Sequence, residues 1–215
     1  KKKEFENFIE SNMQQALDSQ CFEMVLQPKM NLQTNSVIAA EALVRWRLED
    51  GTYLPPSSFV DIFEKNRFCS KLDFYMLKKA IQQIRKWMDM GINPVNISVN
   101  QSKIVFYHEN YISELKSLLE EYNVSGSYIT LEVLESTVIE DIDIFNSILT
   151  EVKKLGFSVS LDDFGSGYSS LNVLSKLQID ELKIDRIFLH TKSEVDNQRT
   201  KWILESIIDI AKKSQ

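Results

Sequence analysis

Apolar residues recur along this chain with two different spacings, and the two spacings alternate from one end to the other. Apolar residues at every second position predict strands, whereas a spacing of three or four predicts amphipathic helices. A first helix is predicted at residues 5–17, with Phe5, Phe8, Ile9, Met13 and Leu17 on one face. Strands are predicted at 24–30, 37–46, 94–99, 128–134, 157–162 and 179–185. Strands that alternate with helices favour a parallel sheet with right-handed crossovers.

Four later stretches show the helical spacing clearly. Their apolar stripes are Leu77, Ile81, Ile84 and Met88; Ile112, Leu115, Leu119 and Tyr122; Ile142, Phe145, Leu149 and Val152; and Ile203, Ile207 and Ile210. A stripe of this kind could face a ligand or a partner, but packing against a sheet is its commoner use. We therefore expect these helices to cover the sheet.

The strand patterns favour a barrel over an open sheet. Strands covered by helices on both faces usually read as continuous apolar runs. Here apolar and polar positions alternate: Ile129, Leu131 and Val133 oppose Thr130 and Glu132. A water-exposed sheet face would alternate in the same way, but crossover helices should cover that face. We predict an α/β barrel, with the polar positions directed inward and gathered toward one mouth.

Composition and charge restrict the possible functions only moderately. The 215 residues, 43% of them apolar, suit one large domain or two small ones with a real core. The net charge of −6 argues weakly against a general nucleic-acid surface, so no DNA or RNA duplex is expected as a partner. Cys21 and Cys69 form no CxxC pair, and His108 and His190 lack metal-ligand spacing, which argues against zinc. The chain has no apolar run of about 18 residues and no secretory signal, so we expect a cytoplasmic domain, which a longer protein could tether to a membrane.

The inward positions of five strands carry chemically related residues. They are Glu41, Asn96, Glu132, Asp162 and Lys183, and Asp163 follows Asp162 directly. Each alone has an ordinary explanation, such as a capping aspartate or a surface glutamate. Together they form a hard-oxygen set that suits Mg²⁺ or Mn²⁺. Without a cation, each pair of carboxylates at ~4 Å would cost about 4 kcal/mol at an effective dielectric near 20. Two ions in such a site would clamp the attacking and leaving oxygens of a phosphodiester.

The same residues stand in motifs that resemble the EAL domain family, bacterial phosphodiesterases that hydrolyse cyclic di-GMP. The motifs are EALVRW (41–46), VNIS (95–98), LEVLES (131–136), LDDFGSGYSSL (161–171) and LKIDR (182–186), with LQP (26–28), LP-x-x-x-F (54–59) and LD (72–73) as further landmarks. They occur in the family's order over about residues 22–213. The resemblance implies a (β/α)8 barrel whose first strand is antiparallel, two divalent ions, and linear pGpG as the product.

The resemblance also implies a role for each motif residue. Glu41, Asn96, Glu132 and Asp162 match ligands of the first metal, and Asp162 and Asp163 match ligands near the second. Lys183 matches the lysine beside the catalytic water.

Other motif positions match residues that bind substrate or support a loop. Gln27, Leu43 and Arg45 match positions that contact the dinucleotide, with Arg45 on phosphate. Glu135 matches a glutamate that steadies the loop after the paired aspartates, and that loop also takes part in family dimers, so a homodimer is expected. Ser166 stands where threonine is usual in that loop; both carry a hydroxyl, so little change is expected.

The resemblance implies two further strands, one with a catalytic glutamate, after the last residue of this chain. We therefore expect a piece of a longer protein, with a barrel domain at 21–215 that is incomplete at its carboxyl end. Residues 1–20 are expected to form a lead-in helix from an upstream regulatory domain such as GGDEF or a sensor.

Three functions are compatible with these observations. The first is a metal-dependent cyclic di-GMP phosphodiesterase. The second is a catalytically silent receptor that binds cyclic di-GMP, although such domains usually lose metal ligands and those in this chain are intact. The third, a purely structural or interaction barrel, does not explain the inward carboxylates.

Overall fold

The structure, a computed structural model, describes residues 1–135, 142–165, 176–189 and 194–213. Its strands are β1 (Phe22–Asn31), β2 (Ser36–Arg47), β3 (Tyr53–Leu54), β4 (Asn96–Gln101), β5 (Ile129–Leu134), β6 (Ser158–Phe164) and β7 (Glu181–Ile184). Its α-helices are α1 (Lys2–Asp18), α2 (Val60–Lys65), α3 (Cys69–Asp89), α4 (Lys103–Phe106), α5 (Tyr111–Tyr122), α6 (Ile142–Lys154) and α7 (Glu194–Lys213). Strands and helices therefore alternate as the apolar spacing predicts.

All the strands belong to one sheet. The order is β1-β2-β4-β5-β6-β7, and the short β3 pairs with β2. β1 runs antiparallel to β2, whereas the pairs from β2 to β7 along this order are parallel. The α/β class and the antiparallel first strand are thus confirmed. Among the described residues no ladder joins β1 to β7, so the sheet is open along that side.

The outward face of the sheet packs against the helices. Its fully or almost fully buried residues are Ile97, Val99, Ile129, Leu131, Val133, Val159 and Leu161. Three stripe residues of α3 (Leu77, Ile81 and Ile84) and three of α6 (Phe145, Leu149 and Val152) are also fully buried. These two stripes therefore form the helical layer of the core, as their spacing predicts.

The first and last helices leave part of their apolar stripes exposed. In α1, Ile9 is fully buried, but Phe8 remains 42% exposed and stacks against Trp46. In α7, Ile207 is buried, whereas Ile203 is 48% exposed because the main neighbour of this helix is the short 3₁₀ turn Arg186–Leu189. Within the described ranges, no helix is both long and apolar enough to cross a bilayer.

The inward face of the sheet is polar and equally buried. Ser98, Thr130, Glu132 and Ser160 have at most 6% exposure. Because neighbouring parallel strands end at the same edge, their inward side chains converge above this buried polar layer. The site lies there.

Candidate metal centre

Three carboxylates from three strands meet on the inward face of the sheet. Oxygen atoms of Glu41 on β2, Glu132 on β5 and Asp162 on β6 all lie within 4.8 Å of one another. The ammonium of Lys183, from β7, lies among them, with Nζ 3.2 Å from Glu41, 2.6 Å from Glu132 and 2.7 Å from Asp162. The structure therefore brings together four of the residues that the sequence assigns to the site.

The charge states of Glu132 and Lys183 follow from their contacts. Burial alone would raise the pKa of Glu132, but hydrogen bonds from Lys183 and Lys29 outweigh burial and lower the pKa. Burial likewise would lower the pKa of Lys183, but its bonds to Asp162 and Glu132 raise the pKa above its ordinary value. The carboxylate and the ammonium are thus both charged at neutral pH.

The paired aspartates form a β-bulge in β6. Leu161 pairs with Leu182 and Phe164 with Ile184, so Asp162 and Asp163 together lie opposite the single residue Lys183. Asp163 takes the left-handed conformation, with φ of 55°, which leaves its side chain exposed while Asp162 contacts Lys183. Partial desolvation of its carboxylate, then repulsion from Asp162 and Asp185, raises the pKa of Asp163. A second cation near these carboxylates would relieve that repulsion.

Glu135 contacts the loop that follows the paired aspartates. Its side chain is buried, and Oε2 accepts a hydrogen bond of 3.0 Å from the backbone N–H of Gly165. Gly165 has φ of 90°, a conformation that glycine adopts without strain. The structure thus joins Glu135 to this loop, as its expected supporting role requires. Ser166, which follows Gly165, lies outside the described residues.

Asn96 does not reach the carboxylates. The strand begins at this residue rather than at 94, so Asn96 lies at the end of the barrel away from the site. Its amide donates to the carbonyl of Ser127 at 3.1 Å and accepts from the hydroxyl of Thr130 at 2.8 Å. The structure therefore contradicts the assignment of Asn96 as a metal ligand.

Asn100, four residues further along β4, occupies the position expected of that ligand. It pairs with Glu132 in the β4–β5 ladder, and its Nδ2 lies 3.3 Å from Oε1 of Glu41. Both asparagines share the inward parity of the strand, so the pattern alone does not distinguish them. Because β4 starts at residue 96 and not at the predicted residue 94, the asparagine that reaches the site is Asn100 and not Asn96.

The proposed substrate-binding residues follow one wall of the mouth. Gln27 on β1 lies opposite Glu41, and two positions farther toward the mouth Leu43 lies opposite Val25. Arg45 is half-buried, and its Nη1 donates to the carbonyl of Val44 at 2.8 Å. These residues share the inward parity of Glu41, so they extend the site along the antiparallel pair.

Sequence reasoning missed Lys29. This residue shares the parity of Gln27 on β1, and its ammonium lies 2.8 Å from Oε1 of Glu132. The only signal in the sequence was that parity, two positions after Gln27 in an otherwise unremarked strand.

The donor set fits a hard divalent cation. Carboxylate oxygens converge on one point that already accommodates a positive charge, the ammonium of Lys183, and the Asn100 amide adjoins them. Carboxylate and amide oxygens are the ligands that Mg²⁺ and Mn²⁺ prefer. Glu41, Glu132, Asp162 and Asn100 would hold one such ion, and Asp163 lies beside Asp162 for a second.

Known proteins share both the sequence and the fold. A family model described as EAL domain matches residues 10–215. The chain is 35% identical to the bifunctional diguanylate cyclase/cyclic di-GMP phosphodiesterase MucR of Pseudomonas aeruginosa over 83% of its length. It is 33% identical to the cyclic di-GMP phosphodiesterase NbdA of the same organism over 95% of its length. The chain spans about a quarter of the length of these relatives, 26% in each case.

A solved structure agrees with the architecture. The PaMucR phosphodiesterase in complex with c-di-GMP superposes with a TM-score of 0.86 at 31% identity, over 96% of this chain and 83% of that one. The predicted TIM-like fold is confirmed. Since the family model matches nearly the whole chain and the motif carboxylates meet at one mouth, this chain belongs to the EAL domain family.

Proposed function

We propose that this domain is a metal-dependent phosphodiesterase that hydrolyses cyclic di-GMP to linear pGpG. The observation that carries the proposal is the convergence of Glu41, Glu132 and Asp162 on one cationic point at the barrel mouth. The names of the relatives MucR and NbdA support the substrate, since both include cyclic di-GMP phosphodiesterase.

The charge at the mouth supports a need for metal. Four carboxylates, those of Glu41, Glu132, Asp162 and Asp163, face two ammonium groups among the described residues, those of Lys183 and Lys29. An anionic phosphodiester would be repelled by this excess of negative charge. Mg²⁺ or Mn²⁺ held by these carboxylates would supply the neutralising positive charge and the Lewis acidity that hydrolysis of a phosphodiester needs.

The residues of the chain then divide into groups with different tasks. Asn100 and the three converging carboxylates hold the first cation, and Asp163 completes the second position with Asp162. Lys183 keeps a proton at Nζ and donates a charge-assisted hydrogen bond toward the reacting phosphate and water. Gln27, Leu43 and Arg45 bind the dinucleotide along the β1–β2 wall.

Incubation of the intact protein with cyclic di-GMP and either Mg²⁺ or Mn²⁺ tests the proposal, with pGpG measured by chromatography. We expect pGpG to form with either ion and its formation to stop when a chelator is added. Tight binding of cyclic di-GMP without any pGpG would instead favour the receptor function. Neither binding nor turnover would contradict both.

The surroundings of the domain in the intact protein are also proposed. MucR carries a diguanylate cyclase activity as well, which supports an upstream GGDEF or sensor domain in this protein. A homodimer formed through the barrel and a cytoplasmic location remain predictions. Sedimentation of the intact protein with and without cyclic di-GMP would test the first.

A further inference from the structure

Lys29 lies deeper in the barrel than the metal-binding carboxylates. Because β1 runs antiparallel to β2, later residues of β1 lie farther from the mouth. Gln27 is opposite Glu41, whereas Lys29 is opposite Ala39, two positions below. The ammonium of Lys29 therefore approaches the site from underneath.

All three protons of this ammonium have acceptors within reach. Nζ lies 2.7 Å from the hydroxyl of Ser98 on β4, 2.8 Å from Oε1 of Glu132 on β5 and 3.3 Å from Oε2 of Glu181 on β7. A lysine ammonium carries three donors, so the contacts on three strands fix its position. The side chain is 21% exposed, which limits competition from water.

The two lysines hold Glu132 from opposite sides. Lys29 contacts Oε1, while Lys183 contacts Oε2 at 2.6 Å, on the side of Glu41 and Asp162. The Glu132 side chain has no solvent exposure, so water cannot replace either donor. A buried carboxylate that loses a donor must find another partner or turn. The orientation of Oε2 toward the cation position thus depends on the bond to Oε1.

We propose that Lys29 is a positioning residue that fixes the Glu132 carboxylate for divalent-cation binding. The inference rests on the proposed function, in which Glu132 is a metal ligand. Hydrogen bonds to the outer oxygen of a ligand orient it, and their loss typically weakens metal binding about 10- to 100-fold.

Charge alone predicts the opposite result. Lys29 is a positive charge close to the cation position, so its removal would tighten cation binding if it acted only through its field. A purely structural lysine would change stability without changing metal affinity selectively. The sign of the change in Mn²⁺ affinity therefore separates positioning from both alternatives.

The experiment measures Mn²⁺ affinity of the intact protein by calorimetry, together with kcat and KM for cyclic di-GMP and urea unfolding. We expect Lys29→Met to weaken Mn²⁺ binding about 10- to 100-fold and to lower kcat more than KM changes. Lys29→Arg, which keeps the charge and the donors, should restore most of the affinity. Ser98→Ala, which removes one anchor of Lys29 and no charge, should weaken binding by a few-fold.

Lys153→Met serves as the matched control. Lys153 also forms an ion pair, 2.8 Å from Asp180, but on α6 outside the barrel. We expect its Mn²⁺ affinity to equal that of the wild type.

The Mn²⁺ affinities of the wild type and the variants decide between the inference and its alternatives. If the wild type binds Mn²⁺ and Lys29→Met binds it equally well or more tightly, the inference fails and the proposed function stands. Should Lys29→Met not fold, an unchanged Mn²⁺ affinity in Ser98→Ala overturns the inference. A wild type that binds no Mn²⁺ overturns the proposed function and this inference together.

Discussion

Two asparagines of β4 offer a direct test of the site at the scale of single residues. Asn100 adjoins Glu41, while Asn96 bonds Ser127 and Thr130 at the opposite end of the strand. We expect Asn100→Ala to weaken Mn²⁺ binding and to lower kcat at least about 10-fold. Asn96→Ala should leave both unchanged and instead lower the free energy of unfolding by about 1–2 kcal/mol, because two hydrogen bonds are lost.

Calorimetric Mn²⁺ titrations and urea unfolding of the two variants check this contrast. Each variant is the control for the other, since both remove the same amide from the same strand. Loss of metal binding in Asn96→Ala alone would restore the assignment that the sequence suggested.

Asp162 is the ligand shared by both expected cations, so its charge should matter most for activity. We expect Asp162→Asn to lower turnover by more than about 100-fold, which exceeds the usual effect of losing a supporting contact alone. The measurement is pGpG formation at saturating Mn²⁺. Asp89→Asn is a suitable control, because Asp89 pairs with Arg85 on the exposed face of α3. Normal turnover by Asp162→Asn would exclude the two-cation arrangement.

At the scale of elements, the turn after β6 depends on one glycine. A methyl group at Gly165 would overlap the ring of Phe188, and its φ of 90° is unfavourable for alanine. We expect Gly165→Ala to lower the free energy of unfolding by about 2 kcal/mol or more and to reduce turnover, because the bond to Glu135 is displaced. Urea unfolding and pGpG formation measure the two effects.

Gly91→Ala is the matched control for this substitution. Gly91 also has a positive φ, 71°, but no atom lies within 4 Å of the added methyl group. Its cost should be only the backbone strain of about 1 kcal/mol, with turnover unchanged. Equal effects of the two substitutions would show that the Phe188 contact is unimportant.

Asp73 links α3 to the end of β4 and makes stability depend on pH. Its Oδ2 accepts from the backbone N–H of Ser102 at 2.8 Å, and burial raises its pKa from 3.8 to about 7. Between these values the folded chain holds a proton that the unfolded chain releases, so the free energy of unfolding falls as pH rises. The loss should be on the order of 2–4 kcal/mol from pH 4 to pH 7 and complete above pH 7.

Urea unfolding from pH 4 to pH 8 measures this dependence. Asp73→Asn, which cannot ionise, should remove the part of the slope that belongs to this residue. Asp209→Asn, at an exposed position of α7, should leave the slope as in the wild type. An unchanged slope in Asp73→Asn would show that Asp73 does not titrate in this range.

The elements show which features a sequence pattern can and cannot predict. The alternation of apolar and polar residues identified the inward face of β5 and β6. With a two-residue period, the apolar side chains pack against the helices and the polar ones point inward. The alternation did not identify the bulge at Asp162 and Asp163, since an extra residue breaks the period locally. It also missed Lys29, because the contact with Glu132 joins residues that are distant in sequence.

At the scale of the whole molecule, the order and direction of the strands followed from motif order and crossover rules. The exposure of Ile203 did not, since a stripe predicts only that a helix has an apolar face and not what covers it. The distinction between Asn96 and Asn100 required the strand bounds, which are less certain from sequence than the strand itself. The order and direction of the strands were thus easier to predict than their bounds and register.

Cation binding should stabilise the whole domain if the site is built as proposed. A ligand that binds only the folded state at 100 times its Kd adds about 2.7 kcal/mol to the free energy of unfolding. We expect Mn²⁺ to raise the melting temperature of the wild type and a chelator to reverse the rise. Asp162→Asn should show little of this response in differential scanning calorimetry. An equal rise in both proteins would place the stabilising ion elsewhere.

The left-handed backbone at Asp163 has a consequence for how this sequence can diverge. A φ of 55° excludes β-branched and bulky residues and favours Asp, Asn and Gly. Single-base changes in an aspartate codon produce both Asn and Gly. A lineage can therefore lose the second carboxylate in one mutational step while the turn, the bulge and the barrel persist, and descendants without the full charge of the site would still inherit its shape.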